Sequence, residues 1–212
     1  MDLSSPLRSL VPSLDSAVLE VLSRSKTGLG PTQLARLAGR GTRQGIQLVL
    51  DRLVEHGLVV AEPTNRGHVY SLNRDHLLTP AVLSAARARQ ELFKRLADSV
   101  TTLDPAPLHA SLFGSFARGD GDESSDIDLL IVLQEGQHVT PRWEAQMRDL
   151  EDQVLAWTGN RLETLTLELD AFRRAVHNQE RIIDELLNDA HDLSGLALGP
   201  LVTATRQTTA TR

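Results

Sequence analysis

The sequence contains no cysteine, which excludes disulfide bridges and zinc sites with cysteine ligands. Aromatic residues make up only 3% of the chain, so its cores must be built from Leu, Val, Ile and Ala. No stretch approaches the roughly 20 apolar residues that a membrane-spanning helix needs. The N-terminal segment also lacks the basic cluster and apolar run of a signal peptide. We therefore expect a globular cytoplasmic protein without membrane contact.

The net charge of −6 is unevenly distributed along the 212 residues. Residues 1–75 carry nine Lys and Arg against seven Asp and Glu, whereas the remainder carries 13 against 21. The acidic total argues against broad coating of nucleic acid, but the mildly basic first third still allows local DNA contact. The length allows one large domain or two small ones.

The first 75 residues show three helical patterns followed by a hairpin pattern. Apolar spacing and cap residues predict helices within 14–22, 31–38 and 42–56. Two extended runs, LVVAE and HVYSL, follow on either side of a turn with Pro, Asn and Gly, which predicts a hairpin over 58–72. Three helices and a hairpin in about 60 residues is the order of a winged helix-turn-helix.

The run GPTQLARLAGRGTRQGIQLVLDRLVEHGLVV resembles the bacterial winged-helix DNA-binding domains. The resemblance implies a winged helix over residues 1–75, with 42–56 as its reading helix and 58–72 as its wing. Polar side chains at the start of such a helix and in the wing reach bases and phosphates, and here these are Arg40, Arg43, Gln44, Gln47 and Arg66. The alternative is a protein-interaction or dimerisation module. Since the net charge is near +2, we expect DNA binding to need a homodimer.

The remaining chain alternates between helical and extended patterns. Residues 76–104 have helical periodicity and predict a helical linker that ends at DPAP. In residues 105–195, LHASLF, DIDLLIVL and LETLTLEL predict three strands, with helical regions over 143–157 and 172–191. This predicts a small α/β sheet, and the fold class is mixed α/β (α+β). The polar tail, residues 196–212, lacks periodicity and is predicted to be disordered.

The predicted strand DIDLLIVL begins with two carboxylates. Side chains at i and i+2 of a strand project from one face, so Asp126 and Asp128 lie side by side while Ile127, Leu129 and Ile131 pack on the other face. Two adjacent carboxylates repel each other unless a cation lies between them, and Mg²⁺ prefers such oxygen ligands. An isolated pair of this kind would more simply be a solvated strand edge.

A loop that favours phosphate binding precedes this pair. Gly114 and Ser115 end the preceding strand, and a glycine there lets backbone amides approach phosphate oxygens while the serine adds a hydroxyl donor. A helix that begins near Phe116 favours an anion at the same place. Arg118 supplies a permanent cation for a triphosphate, and Ser125 either binds nucleotide or steadies the turn into the strand.

The stretch LFGSFARGDGDESSDIDLLIVL resembles the DNA polymerase β-like nucleotidyltransferase superfamily, and in particular the minimal nucleotidyltransferases of bacteria and archaea. The resemblance implies transfer of an NMP from an NTP with release of pyrophosphate, dependent on Mg²⁺ or Mn²⁺. It implies that Gly114 and Ser115 hold the triphosphate and that Asp126 and Asp128 bind the metal.

Members of this family usually carry a third carboxylate on the strand after the crossover helix. The sequence offers Glu163 and Glu168, which lie on opposite faces of the predicted strand. Glu163 follows the Gly-Asn turn and the first apolar strand residue, where the family's third acid falls, although it shares a face with Leu165 and Leu167. A third outcome is that no functional third acid exists, which would leave a weak or inactive enzyme.

These observations leave several functions open. The leading hypothesis is NMP transfer to a protein side chain, a tRNA end or a small molecule, coupled to a winged helix that binds a DNA operator. The acceptor protein or tRNA is expected to be encoded nearby. The first alternative is a transcription regulator whose nucleotidyltransferase domain senses nucleotide or is inactive. The second is a toxin–antitoxin component that acts by complex formation.

Overall fold

The computed structural model describes residues 1–65 and 67–210, which form two compact units. Asp2 and Ser4–Arg89 make up the first, here called the N-terminal unit. Met1, Leu3 and the residues from Gln90 onward make up the second, the C-terminal unit. Within the described part of the chain, no helix is both long enough and apolar enough to cross a membrane.

The N-terminal unit consists of helices followed by a hairpin and a last helix. Its elements are α1 (Pro6–Leu10), α2 (Leu14–Arg24), α3 (Pro31–Ala38), α4 (Arg43–Glu55), β1 (Val59–Thr64), β2 (Gly67–Leu72) and α5 (Thr79–Ala86). The helices and the hairpin that the sequence predicts are all observed, and α1 was not predicted. The Thr42 hydroxyl caps α4 by accepting a hydrogen bond from the Gly45 N–H at 3.1 Å. The left-handed Gly39 ends α3.

The apolar faces of these helices meet in one core. Leu34 of α3 and Ile46 and Leu50 of α4 are fully buried there with Val18 of α2, and Tyr70 of β2 packs against them. Burial of this kind is what the 3.6-residue spacing of their apolar positions predicts. The order of elements fits a winged helix-turn-helix, and the assignment to that class stays a prediction.

The C-terminal unit is built on a four-stranded sheet. The unit boundary falls within α6 (Ala88–Thr101). The elements that follow are β3 (His109–Phe113), α7 (Gly114–Arg118), β4 (Ile127–Val132), α8 (Pro141–Thr158), β5 (Leu162–Leu167), α9 (Leu169–His177), α10 (Arg181–Asp189), β6 (His191–Gly195) and α11 (Leu198–Ala210). The strand order is β5-β4-β3-β6, in which β4 and β5 are parallel and the other neighbours are antiparallel.

Both faces of this sheet are covered by apolar side chains. On one face, Ile127 and Leu129 of β4 pack with residues of α6 and α8, among them Leu96 and Trp143. On the other face, Leu130 and Val132 pack with residues of α9, α10 and α11; these include Phe172, Ile183, Leu198 and Val202. The middle of the sheet is therefore closed on both sides.

The prediction that residues 196–212 are disordered is wrong for their described part. Residues 198–210 form α11, in which Leu198, Leu201 and Val202 are buried against the sheet. Their spacing of three and four residues places them on one helical face. The apolar face was not predicted because the expectation of disorder rested on the polar residues that follow it. Residues 211–212 lie outside the described part.

Two further segments differ from the predictions. The single helical region over 172–191 is divided into α9 and α10 at Gln179, whose φ is +52°, and it ends before the unpredicted strand β6. The predicted linker, residues 76–104, is helical but belongs to both cores. Val82 is buried in the N-terminal unit, and Leu96 in the C-terminal unit.

Candidate active site

A sharp turn brings the chain against Asp128 at the end of β3. The residue after this strand, Gly114, has a φ of +70°, a conformation that only glycine adopts without steric cost. A Cβ atom at Gly114 would also overlap the Asp128 carboxylate and would lie 3.0 Å from its Cγ. The backbone that leads from β3 into α7 therefore approaches this carboxylate more closely than any side chain would allow.

Asp128 lies between two strands that both contribute to the site. In the antiparallel ladder it is paired with Phe113, the last residue of β3, and in the parallel ladder with Glu163 of β5. Paired residues of neighbouring strands project from the same face, and the strands lie about 4.8 Å apart. Glu163 therefore lies beside Asp128. Asp126 comes just before β4 and is near enough for its charge to act on Asp128.

The electrostatics of Asp128 agree with this arrangement. Partial burial raises the pKa of the Asp128 carboxyl, and the negative charges of Asp126 and Glu163 raise it further. The positive charge of Arg118 acts in the opposite direction. The charges of Asp126 and Glu163 thus act on the Asp128 carboxylate, and a cation at this position would offset them.

The other candidate for the third acid, Glu168, belongs to a different part of the unit. It follows the far end of β5, whereas Glu163 lies at the start of that strand. A carboxylate oxygen of Glu168 lies 3.1 Å from the Nδ1 atom of His138, and the proximity of His138 lowers the pKa of the carboxyl. The structure does not bring Glu168 together with Asp126 and Asp128.

Arg118 is near the carboxylates but is engaged by other acids. Its guanidinium group donates to Asp189 at 2.6 Å and to Asp120 at 3.3 Å, and these hydrogen bonds raise its pKa above the usual value. About half of the side chain remains exposed. The sequence had suggested Arg118 as a cation for phosphate but gave no sign of these partners, since Asp189 lies on α10.

The loop between α7 and β4 is held by turns of its own. The Ser115 carbonyl accepts hydrogen bonds from three backbone N–H groups of the loop, those of Gly119, Asp120 and Gly121, at 3.0 to 3.2 Å. The Asp122 carboxylate accepts from the hydroxyls of Ser124 and Ser125, and these bonds lower its pKa. Ser125, predicted to bind nucleotide or steady the turn, thus forms part of an Asp-centred turn.

Asn160 fixes this loop and was not identified from the sequence. It is buried, and its Nδ2 group donates to the backbone carbonyls of Asp122, Glu123 and Ser125 at 3.2, 3.4 and 3.0 Å. The loop leads directly into Asp126, so Asn160 ties the first carboxylate to the α8–β5 turn. The only sequence signal was the Gly-Asn pair at that turn, which is common in proteins.

The predicted DNA-contacting residues of the N-terminal unit differ in their surroundings. Arg43 and Gln44 are exposed at the start of α4. In contrast, Arg40 donates to the Ser16 hydroxyl at 2.5 Å, and Gln47 donates to Asp51 and to the Tyr70 hydroxyl. Arg66 lies outside the described residues. Among the four described residues of this prediction, only Arg43 and Gln44 are therefore exposed.

The carboxylates do not form a closed cage. Within residues 1–65 and 67–210, no three His, Asp or Glu side chains converge on one position that would hold a metal ion. The arrangement is an open edge of the sheet that offers oxygen ligands and a close backbone turn. Chemically, such an edge suits a charged ligand that completes the coordination of a cation.

Comparison with known proteins finds a family model that matches this part of the chain. Residues 93–191 match the model of the family described as "Nucleotidyltransferase domain". No curated protein matches the chain. A solved structure described as "Crystal structure of the toxin-antitoxin with AMP-PNP" is similar at 14% identity, covering 57% of this chain and 86% of that chain with a TM-score of 0.37. A likeness this weak supports no statement about function.

The matched range contains the three strands that carry Asp128, Glu163 and the Gly114 turn. The part of the chain that holds this site is therefore the part that matches the nucleotidyltransferase family model.

Proposed function

We propose that the C-terminal unit transfers an NMP from an NTP to an acceptor, using Mg²⁺ or Mn²⁺, and that the N-terminal unit is a winged helix that couples this reaction to DNA. One observation carries the proposal. Asp128 is paired with Glu163 across neighbouring strands, beside a left-handed glycine turn whose backbone closely approaches the Asp128 carboxylate.

The residues present fit a divalent metal. Asp126, Asp128 and Glu163 offer carboxylate oxygens, the ligand type that Mg²⁺ and Mn²⁺ prefer. The raised pKa of Asp128 points the same way, because burial raises it and the negative charges of Asp126 and Glu163, which raise it further, are offset when a cation is bound. A bound metal would neutralise charge on the phosphates as the bond to the leaving group breaks.

The side chains and the backbone of this chain bind the triphosphate and accept the proton in the reaction. An acceptor hydroxyl attacks the α-phosphorus, the bond from that phosphorus to the bridging oxygen breaks, and pyrophosphate leaves. Glu163 is the exposed member of the pair with Asp128 and accepts the proton of the acceptor hydroxyl. The N–H groups at Gly114 and Ser115 hold the triphosphate, and Arg118 exchanges one acidic partner for phosphate.

The position of a cavity on the C-terminal unit indicates which kind of acceptor the site takes. The cavity on the same unit, beside α8 and β5, has a volume of about 360 Å³ and is lined by Trp143, Met147 and Thr164 among others. It lies on the side of the sheet opposite to the carboxylates. An acceptor presented by a partner macromolecule, a protein side chain or a tRNA end, suits an open site better than a small molecule does.

Transfer of radioactive label tests the proposal. The purified chain is incubated with each of the four NTPs labelled at the α-phosphate, with Mg²⁺ or Mn²⁺, alone and with tRNA or the proteins encoded beside it. We expect labelled product with one of these acceptors and none with the double variant Asp126→Asn/Asp128→Asn. If the chain binds NTP in a calorimeter but transfers no label to any acceptor, the nucleotide-sensing regulator replaces the enzyme. A stable complex without transfer supports the toxin–antitoxin alternative.

DNA binding by the N-terminal unit is tested separately. The exposed position of Arg43 at the start of α4 supports it. Arg43→Ala is expected to weaken operator binding and to reduce the salt dependence by about one phosphate contact. Arg52→Ala is the matched control, because Arg52 lies on the same helix but pairs with Asp15. Equal losses in both variants would indicate a general charge effect rather than a reading helix.

A further inference from the structure

The N-terminal unit contains a cavity of about 560 Å³ that the proposed reaction does not use. It lies between α1, α2 and α3, and it extends to the turn that joins α3 to α4. Its volume falls within the range of sites that hold small organic ligands, about 300–1,000 Å³. Every residue that lines it belongs to the N-terminal unit.

Three arginines and two acids line this cavity. Asp2 is buried, and its carboxylate accepts hydrogen bonds from the Ser4 and Ser5 N–H groups at 3.1 and 2.8 Å and from Arg8 at 3.3 Å. Glu20 is also buried and accepts from the Ser5 hydroxyl and from Arg24, the latter at 2.5 Å. Both acids are therefore satisfied by the protein itself.

The arginines retain the capacity to bind another anion. Arg8 and Arg24 each use a single guanidinium nitrogen in their ion pairs, and their side chains are 51% and 66% exposed. The third, Arg40, also contacts Ser16 and Ser13 through one nitrogen. Because three cations face two anions, the lining has an excess of one positive charge.

The rest of the cavity wall is apolar. It is formed by Ala17 and Val21 of α2, Leu29, and Leu37 and Ala38 of α3. Leu37 is 54% exposed, an unusual position for a large apolar side chain unless something covers it. An apolar wall next to an excess positive charge suits a molecule with both properties.

We propose that this cavity binds a small amphipathic anion, a molecule in which one carboxylate, sulfonate or phosphate group is attached to an apolar body. The anionic group pairs with Arg24 and Arg40, and the apolar body lies against Val21 and Leu37. Since Arg40 belongs to the turn before α4, the ligand contacts the segment that positions the exposed Arg43. None of the residues of this site takes part in the proposed nucleotidyltransferase reaction.

Fluorescence titration with 1-anilinonaphthalene-8-sulfonate tests the site, because this probe is an amphipathic anion. N-phenyl-1-naphthylamine has the same rings without the sulfonate and serves as the uncharged comparison. We expect saturable 1:1 binding of the sulfonate by the full chain. Arg24→Gln and Arg40→Gln should each weaken it about tenfold, whereas Arg36→Gln, on the same helix as Leu37 but outside the cavity, should change it less than twofold.

A charge-preserving variant and a check for unfolding separate loss of the site from other effects. Arg24→Lys preserves the charge beside Glu20 and should retain most of the affinity. A variant that collapses to a molten globule would increase the fluorescence of the sulfonate, and far-ultraviolet circular dichroism identifies a variant that unfolds completely, so neither is mistaken for loss of the site. Equal affinities for the charged and uncharged probes, equal affinities in all arginine variants, or no saturable binding would each overturn the proposal.

Discussion

Glu163 lies directly opposite Asp128 in the parallel pairing of β4 and β5, and both carboxylates project from the same face of the sheet. Glu168, the other acid of the same strand region, is held near His138 at the opposite end. The two glutamates are five residues apart and make a natural pair for comparison.

If Glu163 assists the reaction, its charge is needed. Glu163→Gln is expected to lower the rate of NMP transfer about 100-fold, because it removes both a metal-binding oxygen and the proton acceptor. Glu168→Gln is expected to leave the rate within about twofold. The measurement is the initial rate of label transfer at saturating NTP. Similar rates for the two variants would show that no third acid contributes.

The choice between these acids illustrates what the sequence could predict. The alternation of Asp126 and Asp128 with apolar residues predicts that both carboxylates lie on one face. Alternation could not select Glu163, because its face also carries Leu165 and Leu167. Helices cover both faces of this sheet, so an apolar neighbour does not identify the face of the site. The sequence favoured Glu163 only through the family resemblance, whereas its place beside Asp128 follows from the register between β4 and β5, which is a long-range property.

Other features were hidden for related reasons. The strand β6 has the polar sequence HDLSG. It is held by backbone hydrogen bonds to β3, and such bonds produce no apolar pattern in the sequence. The contacts of Asn160 with three loop carbonyls depend on the fold bringing α8 to the loop before β4. Side-chain hydrogen bonds to distant backbone groups have no periodicity from which a sequence could reveal them.

Gly114 provides a test of the close approach to Asp128. Gly114→Ala should destabilise the protein by about 2 kcal/mol or more, since it adds the cost of a left-handed alanine to a collision with the Asp128 carboxylate. Gly136 also has a positive φ, +76°, but a Cβ there meets nothing within 4 Å. Gly136→Ala should therefore cost only about 1 kcal/mol.

The two glycine variants are compared by urea unfolding and by NTP binding. We expect Gly114→Ala to abolish NTP binding as well, because displacement of Asp128 disrupts the carboxylate pair. Gly136→Ala should bind NTP as the unchanged chain does. Equal stability losses would show that backbone strain alone, and not the approach to Asp128, explains the cost of replacing Gly114.

Asn160 is expected to position the loop that carries Asp126. Asn160→Leu keeps the approximate volume but leaves three carbonyls without their donor, which should cost about 2 kcal/mol. We also expect weaker binding of the NTP–Mg²⁺ complex in titration calorimetry. Asn178→Leu, at an exposed position after α9, is the control and should change neither quantity. Loss of stability with unchanged binding would limit Asn160 to a structural role.

His109 makes the stability of the C-terminal unit depend on pH. The ring is fully buried; its Nδ1 donates to the Leu196 carbonyl at 2.7 Å, so in the neutral ring its Nε2 accepts from the Ser111 hydroxyl at 2.9 Å. Burial lowers the pKa of His109 in the folded protein. As the pH falls below about 6.5, the unfolded chain therefore takes up a proton that the folded chain does not.

The stability that His109 contributes is present in full above pH 6.5 and is lost as the pH falls from that value toward its lower folded-state pKa. In this window the free energy of unfolding should decrease by up to about 1.4 kcal/mol per pH unit from this residue alone. Urea unfolding of the unchanged chain and of His109→Gln at pH 7.5 and 5.5 isolates this contribution. The difference in stability between the two proteins should shrink at pH 5.5, because glutamine does not titrate. A difference that is the same at both pH values would mean that His109 is protonated in the folded protein or that its pKa is not lowered by burial.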